Sequence, residues 1–407
     1  MEHENTISNR AGTWQKGKLS VVSVYLMIAC LLVVFLGNVT RRAIFIQLGT
    51  YGLYLACLPW GVISLFRSME QGVGTRSLQW AAFLTLITGV LAVVLSLLKT
   101  LNLGVLSNLL LYCMLPLFIA SYRSVANIKS VKRAIGIGNV IYCLFHVALS
   151  FTPKAYAVYY TGADGYRVGG SLTLGYGNPN QTGMLLLGML LILVVSIAKA
   201  SRKWEKVGGT ALAAYMVYMI VRTNSRTCIV LVAAMLLALV TSLYRKIDKK
   251  IMFLAFLAPA VYIFMELFMS AVVSNTTVMG ETVATGRGEI YIEFLKSTDI
   301  WSILVGDFVE YRNAHLHNGY ITVFARVGLV GLAAFVIMLW RGYRQCYQDA
   351  LQGGKAEFFA FCGLLLILLH STMEAAYLSG GTMYAAILCM LMILTVPDDG
   401  EQPQTIS

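Results

Sequence analysis

Two histidines stand one residue apart in His315-Leu316-His317-Asn318-Gly319-Tyr320, where a polar stretch gives way to an apolar helix. A neutral imidazole near pH 7 takes a proton from a hydroxyl, the step that turns a sugar hydroxyl into a nucleophile. His317 directly precedes Asn318 at the mouth of that helix, with arginines nearby in the sequence. That context favours a base over a histidine that only bonds loop backbone; for His315 the two readings are balanced. The pair with Asp307 or Glu310 would also offer zinc ligands, but no third ligand stands at a compelling spacing, so no metal is expected.

Arginines supply the complementary chemistry. Arg287 lies in Thr285-Gly286-Arg287-Gly288-Glu289, where flanking glycines let the backbone approach a ligand and leave the guanidinium free to aim. A planar fork of donors suits a two-point grip on a phosphate or diphosphate. Arg226 follows Asn224-Ser225 at the start of an apolar run, where a helix N-terminus adds free N–H groups and partial positive charge. Each is equally readable as an exposed loop or interfacial arginine. Arg222 and Arg326 are weaker anion contacts, and Arg326, nine residues into the run after His317, must face protein or water rather than lipid.

Other polar groups are candidates for substrate contact. Asn178-Pro179-Asn180 caps and turns the chain into a helix, and Asn180 is also able to bond a sugar hydroxyl. His370 and Glu374, four apart, are expected on one helical face as a buried pair or an acceptor contact. Tyr156, Tyr159, Tyr160, Tyr166 and Tyr176 suit a membrane belt or a carbohydrate-stacking face. His146, inside an apolar run, reads as a satisfied core group. Gly328 and Gly331 read as close-packing positions.

The elements that must position these residues are membrane helices. Of 407 residues 58% are hydrophobic and 12% charged, against roughly 25% charged in a soluble domain. The apolar runs are about 17 to 24 residues long, enough to cross roughly 30 Å of hydrocarbon. About twelve spans are expected: 20–37, 43–66, 78–98, 103–120, 133–151, 180–198, 207–222, 226–244, 250–273, 318–340, 357–373 and 378–396. The fold class is thus all-α, a polytopic integral membrane protein over 1–407 as one domain, and the ten-residue alternation of a membrane barrel is absent. The first run reads as a retained anchor.

A net charge of +12 would suit nucleic acid, but its distribution does not. With both termini inside, twenty of the 31 Lys and Arg fall in inner segments and ten in outer ones, the positive-inside bias. Loops 152–179 and 274–317 are then extracytoplasmic, and the latter, before the tenth span, is the expected catalytic loop. Eight cysteines lie mostly singly in apolar runs without CxxC, so they read as small core residues.

In this order, Asn178-Pro179-Asn180, Asn224-Ser225-Arg226-Thr227, Gly286-Arg287 with Trp301, His317-Asn318 and Gly328-Leu-Val-Gly331 resemble the O-antigen ligase and polymerase superfamily of bacterial envelope enzymes. The resemblance covers roughly residues 175–335. It implies a GT-C-like glycosyltransferase of the bacterial cytoplasmic membrane, acting at its outer face in O-antigen, capsule or exopolysaccharide synthesis. The donor would be an undecaprenyl-diphosphate-linked oligosaccharide, with no metal or other cofactor. His317 would be the catalytic base, with Arg226 and Arg287 on the departing diphosphate. His315, Asn318, Asn180, Arg222, Arg326, His370 and Glu374 would contact substrate. Membrane lipids, and a flippase and chain-length regulator of the same pathway, are the implied partners. Where Arg326 stands, many relatives carry Glu, which leaves that position's role open.

A polymerase would join the growing glycan to the terminal sugar of a new lipid-linked repeat. A ligase would use the same donor with another acceptor. The lack of a further C-terminal soluble domain favours the polymerase. A flippase for lipid-linked sugars is the alternative of a different class, disfavoured by the absence of repeated halves and by polar residues concentrated in one loop.

Overall fold

Leu, Val, Ala and Ile dominate the long apolar runs, and where no water can pair with the backbone a helix satisfies its own backbone bonds, which outweighs the weaker helix preference of Val and Ile. The protein, seen in a computed structural model, is accordingly built of helices. The structure describes residues 2–70, 73–101, 105–152, 155–161, 166–176, 178–244, 257–258, 261–265, 267–268, 277–278, 281–282, 287–307, 316–379 and 382–398. In chain order the longer helices are α1 (Glu2–Thr40), α2 (Ala43–Glu70), α3 (Val73–Thr100), α4 (Val105–Ser121), the short α5 (Arg123–Ala126), α6 (Lys129–Ser150), α7 (Pro179–Lys199), α8 (Lys203–Arg222) and α9 (Arg226–Tyr244). Then follow α10 (Arg287–Ser297), α11 (Ile300–Val305), α12 (Gly319–Gln352), α13 (Lys355–His370), α14 (Ala376–Ser379) and α15 (Thr382–Leu394). Two antiparallel hairpins, β1 (Tyr156–Thr161) with β2 (Tyr166–Leu172) and β3 (Thr277–Val278) with β4 (Glu281–Thr282), lie in the loops.

Among the described residues, six helices contain a stretch long and apolar enough to cross a membrane: Val21–Thr40, Ala43–Phe66, Ser77–Lys99, Lys129–Ser150, Pro179–Lys199 and Gly319–Gln352. Leu109–Ser121, Arg226–Leu236 and Met383–Leu394 are shorter apolar helices. The ninth expected span, 250–273, falls mostly outside the described residues. Helix α12 runs on to Gln352, well past the expected end at 340, because good helix formers continue the spiral beyond the apolar stretch. The eleventh span ends sooner than expected, at His370, and residues 371–374 form a turn.

Burial separates centre from periphery. Met184–Leu193 on α7 is buried all round, as is Phe358–Leu368 on α13 and Ala385–Leu394 on α15, as expected of helices apolar on every face. Helices α1, α2, α3 and α6 instead leave large apolar residues on the outside, Leu55 being 78% exposed. A continuous apolar exterior of this kind is consistent with insertion in a membrane.

Charged residues mark one end of the bundle. There Lys132, buried at the start of α6, donates to Val396 O at 2.5 Å and to Asp398 Oδ1 at 2.6 Å. Lys199 pairs with Glu357, whose Oε2 accepts from Gly354 N at 2.7 Å and closes the first turn of α13. Arg123 pairs with Asp349, which also accepts from Tyr122 OH at 3.1 Å. The starts of α7, α9 and α12 and the end of α13 gather at the opposite end.

Candidate active site

His317 sits where α12 begins, and its backbone is left-handed, φ 46°. A non-glycine residue there is held at a cost of about 1 kcal/mol or more, so its surroundings must enforce it. They do so through Asn318, the fully buried N-cap of α12, whose Oδ1 accepts from Tyr320 N at 2.9 Å and Ile321 N at 3.0 Å. Its Nδ2 donates to Thr372 O at 2.6 Å, and Gly319 N donates to Ser371 O at 2.8 Å. Two hydrogen bonds thus cap the mouth of α12, and two stitch it to the turn after α13. The Asn318 amide is committed to that stitching, so its part is to hold the backbone rather than to face a substrate.

The same turn carries Glu374. Its Oε2 lies 3.7 Å from His317 Nδ1, longer than a hydrogen bond and within ion-pair reach. Asn180 Nδ2, from the first turn of α7, donates to Glu374 Oε1 at 3.1 Å. Asn178 caps that turn through Asn180 N at 2.8 Å, with Pro179 in the first helical position. The His317 side chain is 35% exposed and the Glu374 side chain 9%, so an accessible imidazole is backed by an enclosed carboxylate.

His370 and Glu374 do not lie on one helical face. Helix α13 ends at His370, and the turn swings Glu374 towards His317 while its N–H still donates to His370 O at 3.1 Å. The His370 ring faces the core, 3.6 Å from Cys228 Sγ and edge-on to Tyr377.

Arg226 opens α9 and is exposed, and its neighbour Thr227 donates to Met373 Sδ at 3.6 Å, one residue from Glu374. The tight turn ahead of it depends on Asn224 at φ 56°, whose Nδ2 donates to Ser171 Oγ at 3.1 Å. Arg222 lies over the Tyr156 ring, 5.6 Å from its centre, which ties the end of α8 to the β1–β2 hairpin. Arg287 is the first residue of α10 rather than a loop residue, and its side chain lies outside what the structure describes. One turn on, Tyr291 is buried in a cluster with Phe294, Leu316, Ile321 and Ala325, so α10 is seated against the mouth of α12. His315 and Glu310 lie outside the described residues.

Arg326 sits lower on α12, beside a kink at Gly328 (φ 65°, ψ −171°). The chain at Gly306 (φ 89°) and Gly328 brings the backbones of α11 and α12 so close that a Cβ on either would overlap the other's carbonyl. Asp307 N donates to Ala325 O at 2.9 Å, and its carboxylate lies 3.5 Å from Lys99 Nζ on α3. Asp299 caps α11, and hydrogen bonds from the Ser302 backbone and hydroxyl hold its carboxyl below the usual range. Much of the loop expected at 274–317 is therefore helical, with Asp299-Ile300-Trp301-Ser302 as the sequence signal. His146 is a core group as expected, its nitrogens 2.7 Å from Tyr142 O and from Tyr176 OH.

The structure thus brings together His317, Glu374 and Asn180, with the starts of α9 and α10 alongside; it places His370 in the core and Arg326 at the kink. No family model matches the chain, and no curated protein is found to match it.

Proposed function

We propose that the protein is a glycosyltransferase of the O-antigen polymerase and ligase type, using a polyprenyl-diphosphate-linked glycan as donor. The observation that carries this reading is a part-exposed imidazole backed by an enclosed carboxylate at a helix mouth, with helices opened by Arg226 and Arg287 packed beside it. In the reaction an acceptor-sugar hydroxyl loses its proton to His317 Nε2 as its oxygen attacks the anomeric carbon of the donor. The bond from that carbon to the diphosphate oxygen breaks, and undecaprenyl diphosphate leaves with the electron pair. The negative charge then grows on the diphosphate, where arginines act best. A single displacement inverts the anomeric carbon.

The twelve-span, GT-C-like arrangement, the bacterial cytoplasmic membrane and the cytoplasmic location of both termini belong to the same proposal. The meeting of the Lys132, Lys199 and Arg123 ends at one end of the bundle and of the His317, Asn180 and Arg226 ends at the other supports it. The acceptor is read as the terminal sugar of a new lipid-linked repeat.

The test is glycan formation by purified protein in liposomes given a lipid-diphosphate-linked oligosaccharide. A ladder that disappears in His317→Ala is expected. Transfer to another added acceptor without a ladder would make the protein a ligase. No transfer by well-folded protein given its cognate repeat would overturn the enzyme reading in favour of transport.

A further inference from the structure

The proposed reaction needs His317 to present Nε2 without its proton, and an imidazole has two tautomers. We infer that Glu374 and Asn180 are positioning residues that set this tautomer: Glu374 holds the proton on Nδ1, and Asn180 holds Glu374. The inference rests on the reading of His317 as the base.

Three elements converge to build this arrangement. His317 comes from the mouth of α12, Glu374 from the turn after α13, and Asn180 from the first turn of α7. The two carboxylate oxygens have separate duties. Oε2 faces Nδ1 at 3.7 Å, and Oε1 takes the Asn180 amide at 3.1 Å. A carboxylate accepts only, so opposite Nδ1 it favours the tautomer with the proton there and none on Nε2. Once Nε2 takes the acceptor proton, the imidazolium faces an anion that is already in place and already out of water. Asn180 fixes the plane of the carboxylate, and Asn178 with Pro179 fixes Asn180. The left-handed backbone of His317 fits this account. Two hydrogen bonds to residues 371 and 372 hold the base against the segment that carries its carboxylate, at the expense of local strain. Asn180 is thus assigned to Glu374 rather than to a sugar hydroxyl.

The experiment is kcat and KM in the liposome assay for the parent and for H317A, E374Q, E374D, N180A and N180D. Glu374→Gln is expected to lower kcat by about 10²- to 10⁴-fold with KM nearly unchanged. Glu374→Asp, which keeps the carboxylate, should recover part of the rate. Asn180→Ala should cost roughly tenfold in kcat, again with KM nearly unchanged. Asn180→Asp replaces the amide donor with a second carboxylate beside the first, so it should cost more than Asn180→Ala. E374Q with parental kcat would overturn the positioning role. Should E374Q fail to fold, parental kcat in both N180A and N180D would overturn it equally. His317→Ala with parental activity would instead sink the base reading itself, whatever the Glu374 and Asn180 variants do.

Discussion

Asn318 offers the sharpest measurement of how the site is held. Its side chain makes three hydrogen bonds at a fully buried position, two as acceptor to Tyr320 N and Ile321 N and one as donor to Thr372 O. Asn318→Ala removes all three. Loss of the N-cap costs about 1 kcal/mol, and a buried carbonyl left without its donor adds about 1–3 kcal/mol, so the expected loss is about 2–4 kcal/mol. Asn318→Asp separates the two parts. It keeps the acceptor for the helix N-terminus, where negative charge is favoured, but turns a donor into an anion facing the Thr372 carbonyl. The order of stability should be parent, then both variants well below it. His317 should lose its left-handed backbone in each, so that kcat falls more than tenfold. Reversible unfolding in bicelles or detergent, with the glycan ladder on the same preparations, reads both effects. If N318A lies within about 0.5 kcal/mol of the parent, the cap and stitch do not carry the load assigned to them. If N318D matches the parent in stability and rate, the Thr372 bond is irrelevant to the site.

Other perturbations follow from the same structure. Gly328→Ala and Gly306→Ala each put a methyl into the partner's backbone at a positive φ, and each should cost roughly 2–5 kcal/mol, seen as loss of folded protein on fluorescence-detected size exclusion. Asp398→Asn should cost about 1–2 kcal/mol, because Lys132 keeps the Val396 carbonyl and Asp398 keeps a path to water. Burial would raise the Asp398 carboxyl, but the Lys132 hydrogen bond and the charges of Lys199 and Lys132 hold it below the usual range. Its contribution is therefore complete above the ordinary value near 3.9 and fades as pH falls through the lower native one; unfolding curves of parent and D398N should converge only below about pH 4. Arg226→Lys keeps charge but loses the planar fork, so KM for the lipid-linked donor should rise about tenfold or more. Arg222→Ala, which frees the Tyr156 ring, should loosen the hairpin by about 0.5–1 kcal/mol and leave KM within about twofold.

Helix existence was legible from hydropathy because apolar length and backbone satisfaction leave the chain little alternative. The Arg222–Arg226 turn and the cap at Asn178 were legible too, since capping chemistry is local, whereas Asn318 read as a substrate contact and stands in the structure as the N-cap of α12. Helices α10 and α11 were hidden because their mean polarity resembles a loop, and only the Asp299 cap hinted at them. The partner of Glu374 was illegible. Four-residue spacing placed it with His370, but the end of α13 lies between them, and the contact to His317 depends on two hydrogen bonds far apart in sequence. Likewise no spacing rule links Asn180 to Glu374, 194 residues away.

The ionic end of the bundle has a consequence for how the protein is made. Lys132 and Asp398 are 266 residues apart. At a synthesis rate of about 5–20 residues per second, Lys132 waits roughly 13–50 s for its partner. Over that interval a buried cation would be costly, so α6 must linger with the lysine reaching for the aqueous boundary. Asn180 likewise waits for Glu374. The ribosome therefore delivers the closing charge of the clamp after every residue of the candidate site, and a nascent chain stalled before Glu374 holds His317 without its carboxylate neighbour. Assembly order alone thus leaves the candidate site unfinished until the last helices have been made.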